Sequence, residues 1–468
     1  MPSWRIGDDV RKPVGRLWRS AVLVLCGLLL SVLELCRMKR SLILPACVWI
    51  SSLGVLPAQT LQVTPAQVLV DECAIIRASG LQPNEHVSIR GELTDGAGQA
   101  WASEAEFIAD AQGMVDVSKQ SPIKGSYDEL SALGLVWSMR PAEKDVNSYV
   151  PPPDLGTQKI QFRLLRGGQE VSSAQFDQRH VSESVHQITL EGQLHGVLFL
   201  PKASGRVPGV LVLGGSEGGR PIEKAAWLAS HGYAALALAY FRDADLPRDL
   251  EAIPLEYFGT ALAWMMKRPE MLPDRIAVVG TSRGGELALQ LGSMYPQIAA
   301  VVAYVPANVL YPACCGNTRV PYAWTRKGEP LAYVPFGALR NPDPVATMRA
   351  SIPVEHIRGP VLLVSGQDDG VWSSSRMANA IVVRLKDAHF SQRVEHLDYA
   401  HAGHRAGRPE IVPTWHRALR HPVSGQLMNP GGSPKGDAES SIDGIGKVLQ
   451  FLALALQTPS LPDQQFQH

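Results

Sequence analysis

The sequence predicts an α/β fold, a doubly wound and mostly parallel sheet preceded by an all-β sandwich. Three observations point there. Gly280-Thr281-Ser282-Arg283-Gly284 joins an apolar run to the start of a helical pattern. Apolar runs ending in polar loops alternate with helical segments through the second part of the chain, the signature of parallel strands joined by helices. The stretch from Leu61 to about Glu183 instead holds short alternating runs punctuated by turns.

The first 58 residues carry two apolar stretches, Ala21 to Leu35 and Leu42 to Leu56, separated by Arg37-Met38-Lys39-Arg40. Glu34 interrupts the first, and Pro45 and Gly54 interrupt the second, so neither reads as a clean membrane span. Read from Met38, the chain has a basic start, an apolar region and Leu56-Pro57-Ala58, the layout of a secretory signal peptide. This reading makes Met38 the true start and places the protein in the periplasm or outside the cell. The alternatives are an anchor formed by residues 20–36, or a cytoplasmic protein.

Residues 59–183 read as the sandwich. His86-Val87-Ser88-Ile89-Arg90-Gly91-Glu92-Leu93 alternates in and out, and Gln82-Pro83-Asn84 and Asp95-Gly96-Ala97-Gly98 supply turns. Nothing in this part has catalytic character, so its expected role is support or shaping of a substrate entrance. The boundary is expected just before Val185, with residues 184–468 forming the catalytic domain.

Gly209 to Leu213 reads as a buried strand, and Gly214-Gly215-Ser216-Glu217-Gly218-Gly219 as the loop after it. Neither a Walker lysine nor G-x-G-x-x-G follows, which removes the phosphate-binding reading. The glycines instead let a backbone approach a carbonyl closely, and the N–H of Ser216 or of a neighbour is the expected oxyanion donor. Tyr233 to Tyr240 and the segment Glu256 to Met266 continue the strand and helix alternation.

Arg275 to Val279 is the strand that leads into the elbow, and Gly285 to Leu291 opens the helix after it. A G-x-S-x-G in that context is the nucleophile elbow of α/β-hydrolases. Ser282 is therefore the candidate nucleophile. Arg283 N–H, at the helix start, is the candidate first oxyanion donor, while its side chain reads as structural or as part of an entrance.

A serine needs a base and an orienting acid, expected downstream in the order acid, then histidine. Pro360 to Gly366 reads as a strand ending in Gln367-Asp368-Asp369, at the sheet edge that bears the elbow. Both carboxylates also suit a helix N-terminus, so one is expected to cap while the other, Asp369, orients the base. Gln392 to Asp398 reads as the next strand, and its loop holds His401 and His404. His396 lies inside the strand, and Gly403 permits the tight loop that brings His404 in. His404 is the candidate base. Pro422 to Ser441 reads as loop, Ile442 to Leu456 as a final helix and Thr458 to His468 as a frayed tail.

Lys and Arg number 44, equal to Asp and Glu, so no basic field argues for nucleic acid. No Cys/His spacing suggests zinc, and the chemistry requires no cofactor. Cys314-Cys315 reads as two small buried side chains in preference to a vicinal disulfide.

Many dispersed segments resemble the acyl-CoA thioesterase and bile acid-CoA:amino acid N-acyltransferase family. They include Leu61 to Pro65, Gly134 to Pro141, Leu255 to Phe258, Gly280 to Glu286, Ile352 to Glu355 and Gly366 to Asp369. The resemblance implies an immunoglobulin-like sandwich before the hydrolase domain and carries the triad onto Ser282, Asp369 and His404. It implies an acyl thioester substrate. Its conjugating members use cysteine where this chain has Ser282, so hydrolysis is implied over conjugation. Export sits badly with acyl-CoA, a cytoplasmic metabolite, and leaves an exported carboxylesterase or acyltransferase as the alternative. Arg242, Arg248, Arg283 and Arg326 are candidate phosphate contacts, without forming a cluster. A binding protein on a hydrolase scaffold is opposed by the complete Ser/Asp/His set.

Overall fold

A computed structural model describes residues 58–335 and 343–457. The leader, the anchor stretch, the Met38 start and the polar tail lie outside these residues. Among the described residues no helix is long and apolar enough to cross a membrane.

The first part pairs strands as the alternation predicts. A three-stranded sheet holds Thr60–Thr64, Ile75–Ser79 and Val115–Asp116. A larger sheet runs Gln67–Leu69, Gln169–Arg179, Thr157–Arg166, His86–Thr94, Ala100–Ile108, Lys124–Gly125, with Arg140–Pro141 also pairing with Ala100–Ile108. Every second side chain of the long strands faces inward: Val87, Ile89 and Leu93 meet Trp101, Phe107, Ile160 and Phe162. Leu61, Ile76 and Val115 of the smaller sheet belong to the same buried cluster.

The second part is an eight-stranded sheet in the spatial order His186–Leu190, His195–Leu200, Ala234–Ala239, Val207–Leu213, Met271–Thr281, Ile298–Tyr304, Val361–Gly366, Val394–Tyr399. The first two strands run antiparallel to their neighbours, and the rest are parallel. Numbered along the chain, the order is 1-2-4-3-5-6-7-8, reversing direction of growth beside the elbow strand. This is an α/β-hydrolase fold. Parallel strands are buried on both faces, so they read as continuous apolar runs. Val210, Val212, Ala277 and Val279 face helices Ile222–Ser230 and Pro434–Leu456. Leu211, Leu213, Val278 and Val301 face helices Leu255–Met266 and Arg283–Met294.

The described residues all fall in one compact unit. The sandwich core is continuous with the core on one face of the large sheet. Backbone and side-chain hydrogen bonds join the two parts as well: Ile411 N–H to Val70 O at 2.8 Å, and Gln178 Nε2 to Ile411 O at 3.1 Å.

Two expectations are corrected here. The last helix runs from Pro434 to Leu456, so its first two turns fall in the stretch read as loop. Those turns are polar, yet Asp437, Ser440 and Ser441 are buried, the first two in hydrogen bonds, which an apolar period cannot signal. Cys314 and Cys315 are joined in a vicinal disulfide, where two separate buried thiols were expected.

Candidate active site

Ser282 sits at φ 58°, ψ −118°, between the strand Met271–Thr281 and the helix Arg283–Met294. That region is costly for a residue with a side chain and persists only when its surroundings impose it. The surroundings do so. Ser282 N–H donates to Tyr304 O at 2.9 Å, and Ser282 O accepts Glu286 N–H at 3.0 Å. A Cβ on Gly280 would lie 1.8 Å from Gly284 O, and one on Gly284 would lie 2.3 Å from Gly214 O. Both elbow glycines are thus required by close approach.

His404 comes from the loop after Val394–Tyr399, and Asp369 from the loop after Val361–Gly366. His404 Nε2 lies 2.9 Å from Ser282 Oγ. Its Nδ1 lies 2.8 Å from Asp369 Oδ2 and 3.0 Å from Oδ1. The three side chains selected from the sequence converge. Asp369 is almost fully buried, while His404 keeps 14% exposure. The edge of Trp372 packs against the imidazole at 5.6 Å, and Trp372 Nε1 is anchored on Val305 O.

The expected split between a capping and an orienting carboxylate does not occur. Neither carboxylate caps the following helix Ser374–Asp387, which starts at Ser373 without a side-chain cap; Asp369 Oδ1 instead accepts the N–H groups of Val371 and Trp372 at 2.9 and 3.2 Å and so fixes its own loop. Asp368 points outward beside the exposed His401. His396 bonds Ser365 Oγ at 2.7 Å, away from the elbow.

Arg283 is structural. Its guanidinium is buried, donates to Tyr311 O and Pro312 O at 3.0 Å each, and lies 3.3 Å from the Glu286 carboxylate. The entrance reading of its side chain is therefore dropped, while its N–H opens the helix beside Ser282. Burial pushes the Glu286 carboxyl up to about 6, against the opposing pull of Arg283 and a hydrogen bond from Trp324 Nε1. Arg242, Arg248 and Arg326 are exposed and dispersed.

The Gly214–Gly219 loop lies against Ser282, since a Cβ on Gly215 would be 3.3 Å from Ser282 Cβ. Gly214 O accepts Tyr240 OH at 2.7 Å, and Gly215 N–H donates to Glu217 Oε1 at 2.9 Å. Gly219 N–H donates to Phe241 O at 3.1 Å. Among the described residues Ser216 N–H has no such partner, so it stays available.

Sequence reasoning missed several supports. Asp437, on the last helix, accepts Gly403 N–H at 2.8 Å and holds the histidine loop. Lys224 Nζ donates to Thr281 Oγ1 at 2.7 Å and lies 3.5 Å above the Tyr304 ring. Burial pulls its ammonium down to about 7. His421 holds Ser216 Oγ at 2.9 Å. A charged residue in the apolar run Ile222 to Ser230 was the available signal for Lys224. Ser433-Pro434, a cap followed by proline, was the signal for the start of the last helix.

The arrangement can activate a hydroxyl for attack on an acyl carbonyl. Comparison with known proteins agrees in kind. Residues 253–458 match the BAAT / acyl-CoA thioester hydrolase C-terminal model, and residues 71–192 the acyl-CoA thioester hydrolase/BAAT N-terminal region. Acyl-coenzyme A thioesterase 6 of Mus musculus is 31% identical over 415 residues, covering 84% of this chain and 96% of that protein. The mitochondrial acyl-coenzyme A thioesterase 2 of Mus musculus is 30% identical over 415 residues, covering 83% and 88%. The solved structure of MGS-M1, an α/β-hydrolase enzyme from a deep-sea metagenome library, aligns at 16% identity and TM-score 0.36, covering 58% of this chain and 98% of that one. The chain belongs to the acyl-CoA thioester hydrolase/BAAT family and is a hydrolase of the α/β-hydrolase fold.

Proposed function

We propose that this protein hydrolyses acyl-CoA thioesters through an acyl-Ser282 intermediate, with His404 as general base and Asp369 as its orienting acid. The observation that carries the reading is the relay itself, Ser282 Oγ to His404 Nε2 at 2.9 Å and His404 Nδ1 to Asp369 at 2.8 Å. Asp369 accepts the Nδ1 proton, which leaves the Nε2 lone pair facing the hydroxyl. His404 Nε2 takes the hydroxyl proton as Oγ attacks the thioester carbonyl. The carbonyl oxygen becomes an oxyanion between the N–H groups of Arg283 and Ser216, each such donor being worth roughly 3–4 kcal/mol. Collapse breaks the C–S bond, and the imidazolium returns its proton to the departing thiolate. Water then repeats the sequence on the acyl-serine, releasing a carboxylic acid.

Substrate class rests on the relatives, whose names specify acyl-coenzyme A and succinyl-coenzyme A thioesterases. Residues 59–183 act in this reading as support for the catalytic layer. The test is thiol release from a panel of acyl-CoAs and simple esters, with Ser282→Ala alongside. Turnover and fluorophosphonate labelling should both vanish in Ser282→Ala. Labelling that survives the substitution refutes the nucleophile, and turnover confined to simple esters refutes the substrate class.

A further inference from the structure

The hairpin Leu419–Arg420 and Leu427–Met428 interrupts the passage from the histidine loop to the last helix. At its tip sits His421, only 4% exposed. Its Nδ1 accepts two backbone N–H groups, from Val423 at 3.2 Å and Ser424 at 3.1 Å. A ring nitrogen that accepts carries no proton, so the proton is on Nε2. Nε2 lies 2.9 Å from Ser216 Oγ and donates to it. The turn around the ring therefore fixes both tautomer and direction.

The consequence falls on the oxyanion loop. Tyr240 OH holds the Gly214 carbonyl and the Glu217 carboxylate holds the Gly215 N–H. The peptide carrying the Ser216 N–H follows a glycine and can rotate unless the serine itself is tethered. His421 supplies that tether. We propose that His421 is a positioning residue for hydrolysis, aiming the Ser216 N–H at the oxyanion through its hydrogen bond to Ser216 Oγ. This rests on Ser282 being the nucleophile. His421 touches no reacting atom, and its influence passes entirely through Ser216.

Two substitutions separate the two jobs of the ring. Glutamine carries an amide N–H out to the Nε2 position, whereas asparagine offers an oxygen near Nδ1 and cannot reach Ser216. Acyl-CoA hydrolysis by the full chain should fall about 10-fold or more in kcat for His421→Asn and Ser216→Ala, with KM little changed, since a misaimed oxyanion donor acts on the transition state. His421→Gln should restore most of kcat. The double variant Ser216→Ala/His421→Asn should be no slower than the slower single one, because both remove one interaction. The Ki of an alkyl trifluoromethyl ketone, which forms a tetrahedral adduct on the serine, should rise in step with the loss of kcat. Wild-type kcat in Ser216→Ala overturns the proposal, and so does His421→Gln falling below His421→Asn. If His421→Asn does not fold, Ser216→Ala decides alone. Ser282-dependent turnover that ignores both residues defeats this inference only, whereas turnover that survives Ser282→Ala defeats the nucleophile with it.

Discussion

Asp71 Oδ2, in the sandwich, lies 2.6 Å from His231 Nε2, at the end of the helix Ile222–Ser230 of the hydrolase part. The same oxygen accepts Trp227 Nε1 at 2.8 Å. Both His231 and Asp71 are nearly fully buried. One carboxylate therefore fastens the helix whose Lys224 reaches Thr281, the neighbour of Ser282.

Removing that carboxylate strands two buried donors. Asp71→Ala is expected to lower stability by about 3 kcal/mol or more, the scale for breaking a buried pair from one side. Urea unfolding measures it. A loss near zero would show that the sandwich docks by apolar packing alone.

Asp369→Asn should leave the fold intact, because an amide oxygen can still accept the Val371 and Trp372 N–H groups. The imidazole, however, loses the acceptor for its Nδ1 proton. A fall in kcat on the order of 10⁴ is expected for the wrong tautomer, at an unchanged melting temperature. Activity within tenfold of the parent would assign the acid to another residue.

Asp437→Ala removes the acceptor for Gly403 N–H and frees the loop that carries His404. Displacement of the imidazole by about 1 Å can cost on the order of 100-fold in rate. Steady-state kinetics should show kcat falling and KM holding. An equal change in both would mean that the helix shapes the binding site instead.

Lys224 makes stability depend on pH. Its folded pKa of about 7 lies below the unfolded value near 10.4, so the native state binds fewer protons between the two. Stability attributable to this residue therefore rises with pH from about 7 to about 10. Lys224→Met should show its largest relative gain below pH 7, fading towards pH 10. Denaturant midpoints at three pH values test this, and a gain that grows with pH contradicts it.

The catalytic layer was legible because parallel strands are apolar throughout and end abruptly in polar loops. That contrast located Ser282, Asp369 and His404 without coordinates. Ser216 was singled out by the glycines around it. Asp437 and His421 were not, because one lies inside the stretch read as loop and the other at its edge. Their partners are distant in sequence, Gly403 and Ser216, and hydrogen bonds between remote segments leave no periodic trace. One of the two carboxylates, Asp368 and Asp369, was expected to cap the next helix, and neither does, because that helix starts at Ser373 without a side-chain cap.

The helix Pro434–Leu456 meets the loop of His404 at one end and the strand that leads to Ser282 at the other. Asp437 grips the histidine loop, while the Leu456 and Gln457 carbonyls receive Arg275, at the approach to the elbow. Its 23 residues form a rod of about 34 Å that ties the loop carrying His404 to the strand carrying Ser282. Warming should therefore dismantle hydroxyl and imidazole together, so inactivation and global melting coincide and no half-assembled enzyme lingers between them.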